Sequence, residues 1–484
     1  MCTELKPKAV FDYFAQINKV PRPSKHEEKM IAFLQKFAEE NGLGCKTDEA
    51  GNVLISKPAT PGMEDRATII LQGHMDMVCE KNSDRVIDFE NDPIETYIDG
   101  EWMKAKGTTL GADDGIGIAL AMAVLTDKEL KHGPIECLFT RDEETGLTGA
   151  QEIQSGFMTG KYLINLDSED EGEIFIGCAG GVNTDIEFEY FAQEIPEDYV
   201  ALRVVVDKLT GGHSGDDINK NRANANKILA RFLHNEFNKF DLNLISIDGG
   251  NLHNAIPRHA EAIIAVPESV KHEVRSDFNV FAAEIQDEYH TTEPNAEFIM
   301  ESCEKPETAI DDITAYNLIE SLHAVQNGVY EWSQDIPNFV ETSSNLASVK
   351  IPEEGKIKIV TSQRSSTKSQ LDCMCSIIAA TFTIAGADVI INEGYPGWKP
   401  NPDSVILKLS VEKYKELFGK EPKVRAIHAG LECGLFSEKY PHLDMVSFGP
   451  TLRGVHSPDE CLLIPTVEMV WKHIVAILEN APLA

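Results

Sequence analysis

The 484-residue sequence is short of positive charge: 44 lysines and arginines stand against 79 aspartates and glutamates, a net charge of −35. Such a surface repels nucleic acid and anionic membranes, and no basic tract offsets it, which excludes a phosphate-rich partner. No stretch approaches the ~20 consecutive apolar residues of a membrane span. The first residues, MCTELKPKAVFDYF, have neither the basic start nor the uninterrupted apolar run of a secretory signal. The ten cysteines include no CxxC pair. Cys373 and Cys375 are two apart and the other eight are scattered, which reads as reduced, mostly buried thiols in a cytoplasmic protein. Short-period repeats and low-complexity tracts are also missing.

What is present is ordinary for a folded chain: 42% hydrophobic and 25% charged residues. The length exceeds what one hydrophobic core serves, so at least two domains are expected. Up to about residue 190, helix and strand signals alternate. Ser24 and Glu27 read as an S-x-x-E capping box before the periodic run Met30 to Phe37. Ala67–Leu71, Ile135–Phe139 and Tyr162–Leu166 read as buried strands, and Ile116–Leu125 as a small-residue helix. The texture then changes. Strand signals at Leu202–Val206, Ala260–Val266 and Lys356–Thr361 accompany a helix striped by Ala225, Ile228, Leu229, Phe232 and Leu233. A second helix runs from Lys368 to Ala385, with Gly386 as its cap. Tyr395–Pro400 has the composition of a linker, and α/β texture resumes up to a last helix bearing Val467, Val470, Trp471, Ile474 and Leu478. The expectation is an α/β open-sheet domain, residues 1–190 and 398–484, interrupted by an inserted α+β domain, residues 191–397.

Acidic and histidine residues cluster just past the expected strands. His74 and Asp76 follow the first in Gly-His-Met-Asp-Met, and Glu143 and Glu144 follow the second in Asp-Glu-Glu-Thr-Gly. Asp167 follows the third, Asp113 and Asp114 precede a helix, and His456 lies in Gly-Val-His-Ser-Pro-Asp-Glu. In open α/β sheets the ligand crevice lies at the carboxyl ends of the strands, so these loops can converge. Two imidazoles with several carboxylates suit zinc, cobalt or manganese better than calcium or magnesium. Asp113, at a helix N-terminus that favours its ionised form, is well placed to bridge two ions. Taken singly, each cluster is equally an ordinary turn, helix cap or solvated loop.

The segments GHMDMV, GTTLGADDGIG, DEETGLTGA, LINLDSEDEGEIFIGCAGG, GGHSGDDI, NAIPR and RGVHSPDE, in this order, resemble the M20 family of metallopeptidases, and within it the aminoacyl-histidine dipeptidases, over essentially the full length. The resemblance implies a di-metal catalytic domain and an inserted lid and dimerisation domain. It implies that His74, Asp113 and Asp167 bind one ion, and that Asp113, Glu144 and His456 bind the second. Asp76 would orient a ligand histidine, and Glu143 would be the general base, taking a proton from the bridging water. In the inserted domain, His213 and Asn254 would donate to the tetrahedral oxyanion, and Arg364 would hold the substrate's terminal carboxylate. Glu432, in His-Ala-Gly-Leu-Glu-Cys-Gly, is the candidate for the substrate's ammonium group. Asp114 departs from the amide frequent in close relatives and would add negative charge near the ions.

The expected function is metal-dependent hydrolysis of dipeptides, Xaa-His included, by a homodimer. An N-acyl amino acid deacylase or a carboxypeptidase would share the chemistry and dispense with the ammonium site. A catalytically dead binding protein on the same fold would lack at least one ligand, whereas every expected one is in the sequence. A two-metal phosphoesterase would need a basic cluster or phosphate-cradling loop, and neither is evident.

Overall fold

The computed structural model describes residues 5–484; Cys2 and the first residues of the N-terminal stretch read above lie outside them. The chain forms two compact units. One comprises the described residues up to Gly177 together with Trp398–Ala426 and Leu431–Ala484. The other comprises Cys178–Gly397 and Ile427–Gly430.

The first unit is built on an eight-stranded sheet in the order Gly44–Thr47, Val53–Lys57, Ile135–Thr140, Ile69–His74, Tyr162–Asn165, Asp444–Ser447, Glu173–Cys178, Lys423–Ile427. Its four central strands, Ile135–Thr140 to Asp444–Ser447, are mutually parallel. Parallel strands are covered on both faces, and three of these four are buried at every position. This is why Ile69–Leu71 reads as an unbroken apolar run and Ile135–Phe139 as one interrupted only by Glu136, whose buried carboxylate accepts from Thr159 and the Gly160 amide. The helix Ala112–Thr126 is buried from Asp114 to Leu125 without a break. Its glycines and alanines let it lie close to the sheet. Register brings His74 level with Thr140, and Gln72 level with Asn165. The loops that follow these strands therefore leave from one edge, the carboxyl edge.

The second unit carries an antiparallel sheet in the order Glu297–Cys303, Tyr199–Asp207, Ala260–Pro267, Asn243–Gly249, Val340–Glu353, Lys356–Ser365, Gly180–Glu189, Asp388–Ile391, with Gly328–Trp332 also paired to Val340–Glu353. Helices Ala225–Phe237, Lys271–Glu288, Asp312–Ala324 and Lys368–Ile384 accompany it. Leu202, Val204, Leu229, Phe232, Phe278 and Phe382 belong to one buried core. The helix Lys368–Ile384 stops where Gly386 takes φ +86°, a left-handed conformation that glycine adopts without a Cβ penalty.

Three local expectations are corrected. Ser24 and Glu27 form no capping box: Glu27 sits at the N-cap of helix Glu28–Glu40 but makes no capping hydrogen bond. Its carboxylate accepts from the Lys25 amide and from Arg141, while the Ser24 hydroxyl donates to Asp76 at 2.7 Å. Tyr395–Pro400 does contain the boundary between the units, at Gly397 and Trp398, but it is packed: Tyr395 bridges to Gly181, and Trp398 is buried. In the last helix, Ile464–Glu479, the buried face includes His473 and Ile477, and Trp471 lies at its margin. Among the described residues no disulfide occurs, and no helix is long and apolar enough to cross a membrane.

Candidate metal centre

Five of the predicted residues meet in the first unit, and Asp113 is their hub. Its Oδ1 lies 3.0 Å from His74 Nε2 and its Oδ2 lies 3.1 Å from His456 Nε2. Asp167 Oδ1 lies 3.7 Å from the same His74 nitrogen, and Glu144 Oε2 lies 2.9 Å from the same His456 nitrogen. Two half-sites thus share one carboxylate: His74, Asp113 and Asp167 on one side, Asp113, Glu144 and His456 on the other. Donor atoms of His74, Asp113 and Glu144 all fall within 4.8 Å of one another. Glu144 Oε1 is buried with no hydrogen-bond partner.

The electrostatics call for cations. Burial lowers the His74 pKa, but the surrounding carboxylates of Asp167, Asp113 and Asp76 raise it well above the usual imidazole range. Hydrogen bonding of its ring N–H to the Asp113 and Glu144 carboxylates pushes His456 up to about 11. Burial, with the carboxylates of Asp113 and Asp114, pushes Asp167 well above the carboxylate range, although His74 opposes this. A pair of divalent ions would offset this crowd of buried carboxylates. The donor set and the orphaned Glu144 oxygen therefore fit the expected metals.

Asp76 faces away from the shared carboxylate. It accepts from His74 Nδ1 at 3.2 Å and from the Glu143 and Glu144 amides at 3.0 and 3.2 Å. Burial works against its ionisation, yet these bonds hold it down to about 2. A carboxylate behind a ligand imidazole fixes its tautomer and ring direction. Glu143 opens a short helix, Glu143–Gly146, bracketed by Asp142 and Leu147 in left-handed conformations. Asp142 secures that turn by accepting from the Thr145 and Thr148 hydroxyls. Burial and the charges of Asp167 and Glu144 raise the Glu143 pKa well above the usual value, despite the opposing His74.

The other predicted residues divide. In the second unit, His213 Nδ1 accepts from the Gly215 and Asp216 amides at 3.2 and 3.1 Å. Burial and the charge of Arg364 lower its pKa, so the imidazole is neutral. Asn254 is exposed, and its carbonyl accepts from the Ser214 amide at 2.8 Å. Arg364 is 6% exposed, donates to the Tyr395 hydroxyl at 3.0 Å, and keeps Nε buried without a partner. That is a guanidinium short of an acceptor, not an arginine in a surface ion pair. In the first unit the structure puts Glu432 to a different use from the one expected. It has no exposed surface; its Oε2 accepts from Gln72 at 2.6 Å and Thr140 at 2.9 Å, and its Oε1 is buried without a hydrogen-bond partner, so it presents no carboxylate to solvent. Asp114 is buried: its Oδ1 accepts from the Gly117 amide at 3.2 Å, its Oδ2 has no partner, and burial drives its carboxyl well above the carboxylate range.

Two residues at the centre escaped the sequence reading. Arg22, fully buried, donates to the Met75 and Asp76 carbonyls at 3.2 and 2.7 Å and to Gly111 O at 2.5 Å. Glu460 accepts from the amides of Leu110, Gly111, Ala112 and Asp113. Between them lies Gly111 at φ +66°, where a Cβ would come within 2.6 Å of the Arg22 guanidinium and 2.9 Å of Met77 Sδ. The Gly111→Ala substitution is expected to cost ~1–3 kcal/mol, from left-handed strain plus overpacking. Thermal unfolding of the metal-free protein checks this; an unchanged midpoint would show that the turn adapts.

Comparison with known proteins bears on the same residues. Residues 70–480 match the model of peptidase family M20/M25/M40. The chain is 42% identical over 480 residues to the cytosol non-specific dipeptidase of Escherichia coli (strain K12), covering 99% of both. The solved aminoacylhistidine dipeptidase of Vibrio alginolyticus superposes with a TM-score of 0.94 at 42% identity, over 99% of this chain and 98% of that one. An aminopeptidase from Bacillus cereus ATCC 10987 shares the fold, with a TM-score of 0.58 at 18% identity over 99% of this chain and 100% of its own.

Proposed function

We propose, from the premise that this chain belongs to peptidase family M20/M25/M40, that it hydrolyses dipeptides, Xaa-His among them, at a two-ion centre. The observation that carries the two-ion reading is the position of Asp113, with one oxygen toward His74 and the other toward His456. The dipeptidase names of its two 42%-identical relatives support the substrate class.

His74, Asp113 and Asp167 would hold one ion, and Asp113, Glu144 and His456 the other, with zinc, cobalt or manganese the best match to two imidazoles and three carboxylates. Ions held there would supply Lewis acidity toward the scissile carbonyl and toward water. The protein's own groups do the rest. Asp76 holds His74 by Nδ1 and the start of the Glu143 turn by its amides, so one carboxylate orients both a ligand and the base. Glu143, whose carboxylate is made a stronger base by burial and by neighbouring carboxylates, takes a proton from the attacking water and passes it to the leaving amine nitrogen. His213, neutral, and Asn254 donate to the oxyanion. Arg364, with an unfilled donor, takes the substrate's terminal carboxylate.

Arg364→Ala is expected to raise KM for dipeptides by roughly 10–100-fold, the worth of a charge-assisted hydrogen bond. Steady-state kinetics decide it, and an unchanged KM would remove Arg364 from substrate binding. A cytoplasmic location and a homodimer belong to the same proposal; light scattering that gives the mass of one chain would contradict the dimer. The function is tested with zinc, cobalt or manganese against a panel of dipeptides, a tripeptide and an N-acetylated dipeptide. Cleavage of the free dipeptides alone supports the proposal. Cleavage of the acetylated one instead moves the protein to the deacylases, and no cleavage with any metal refutes it.

A further inference from the structure

The Asp113 turn is gripped from two sides by opposite charges. Glu460 receives four consecutive amides, those of Leu110, Gly111, Ala112 and Asp113, at 2.7, 3.0, 2.8 and 3.3 Å. Arg22 takes the Gly111 carbonyl of the same turn, and with its other nitrogen the Met75 and Asp76 carbonyls just beyond His74. Both side chains are buried, Arg22 at 1% and Glu460 at 2% exposure. Glu460 stands four residues after His456, in the loop where Gly454 and His456 both take left-handed conformations. So one grip ties the Asp113 turn to the His74 side, and the other ties it to the His456 side.

We infer that Arg22 and Glu460 are positioning residues that set Asp113 between the two half-sites, and that Glu460 in particular holds the His456 half-site in register with the shared carboxylate. A helix cap alone is the simpler use of a carboxylate at the start of Ala112–Thr126, since anions are stabilised there. A cap, however, does not need to come from the loop that supplies a ligand, nor to be matched by a buried guanidinium on the next carbonyl. The two uses differ in consequence. Loss of a cap lowers stability and leaves the two ion affinities in proportion. Loss of a positioning group weakens one half-site more than the other.

The inference rests on the two-ion reading, and the test keeps the two apart. Zinc is titrated into metal-free wild type, Glu460→Gln and Glu460→Asp by calorimetry, with bound zinc counted after dialysis. Backbone hydrogen exchange of residues 110–113 is followed in the metal-free proteins. Glu460→Gln keeps the shape but offers one acceptor oxygen. One zinc equivalent is expected to lose about 10–100-fold in affinity, as for other residues behind metal ligands, with the other little changed and amides 110–113 exchanging at least about tenfold faster. Glu460→Asp, charged but shorter, is expected to lie between, and it carries the test if the glutamine variant does not fold. Equal weakening of both equivalents, or unchanged exchange at 110–113, overturns the inference. A wild type that binds fewer than two zinc ions refutes the two-ion reading instead, while the exchange result still decides whether Glu460 grips the turn.

Discussion

Replacing Glu143 by glutamine is expected to lower kcat by about 10²–10⁴-fold, the usual worth of a positioned general acid–base group, while both ions stay bound. The side chain keeps its length, and the Glu143 amide, which donates to Asp76 at 3.0 Å, is untouched, so the turn that also carries Glu144 is preserved. The change removes the one thing the proposal asks of Glu143, which is to accept a proton and return it. KM is expected to move far less than kcat, because the loss falls in the transition state. Steady-state kinetics together with metal analysis separate the alternatives. A fall in bound metal parallel to the fall in rate would make Glu143 a ligand, and an unchanged kcat would end its role as base.

Replacing Asp113 by alanine is expected to abolish measurable hydrolysis and to reduce bound metal below one ion per chain. Among the described residues, no other single side chain has oxygens at 3.0 Å from His74 and 3.1 Å from His456. Its loss would take a carboxylate from both half-sites at once. By contrast, His456→Ala strips only one half-site and should leave one ion. Metal analysis after dialysis checks both variants, and retention of two ions by Asp113→Ala would remove the bridge. The metal-free protein gives a further check. Asp113 and Glu144 hold His456 up at about 11, so in Asp113→Ala its titration by NMR should move to lower pH. The sign carries over to binding: the imidazoles must lose protons to take metal, so affinity should fall as the pH is lowered.

What could be read in advance follows from how each feature is encoded. Ile69–His74, Ile135–Thr140 and Tyr162–Asn165 were legible because strands covered on both faces are mostly apolar along their length, here in Ile69–Leu71, Cys137–Phe139 and Tyr162–Ile164. Four of the proposed ligands were legible because His74 ends such a strand, Asp167 follows one, and Asp113 and Glu144 stand at helix starts, whereas His456, in a loop between two short strands, was legible through its family motif. Arg22 was not, since an arginine between Pro21 and Pro23 looks like any loop cation, and its acceptors lie 53 to 89 residues away. Glu460 sat inside a recognised motif, yet the amides it receives lie 347 to 350 residues upstream, a relation that spacing does not encode. The Ser24 and Glu27 capping box failed for the opposite reason. The local pattern was correct, but Asp76 and Arg141 offered those side chains stronger partners across the fold. Glu432 shows the same limit: a carboxylate in a glycine-rich loop reads as exposed until the fold closes over it and hands it Gln72 and Thr140.

The most direct test of the centre is a crystal structure of the zinc-loaded protein with anomalous data collected at the zinc edge. Two peaks are expected, one coordinated by His74, Asp113 and Asp167 and the other by Asp113, Glu144 and His456. A single peak, or a pair that does not share Asp113, would contradict the two-ion centre.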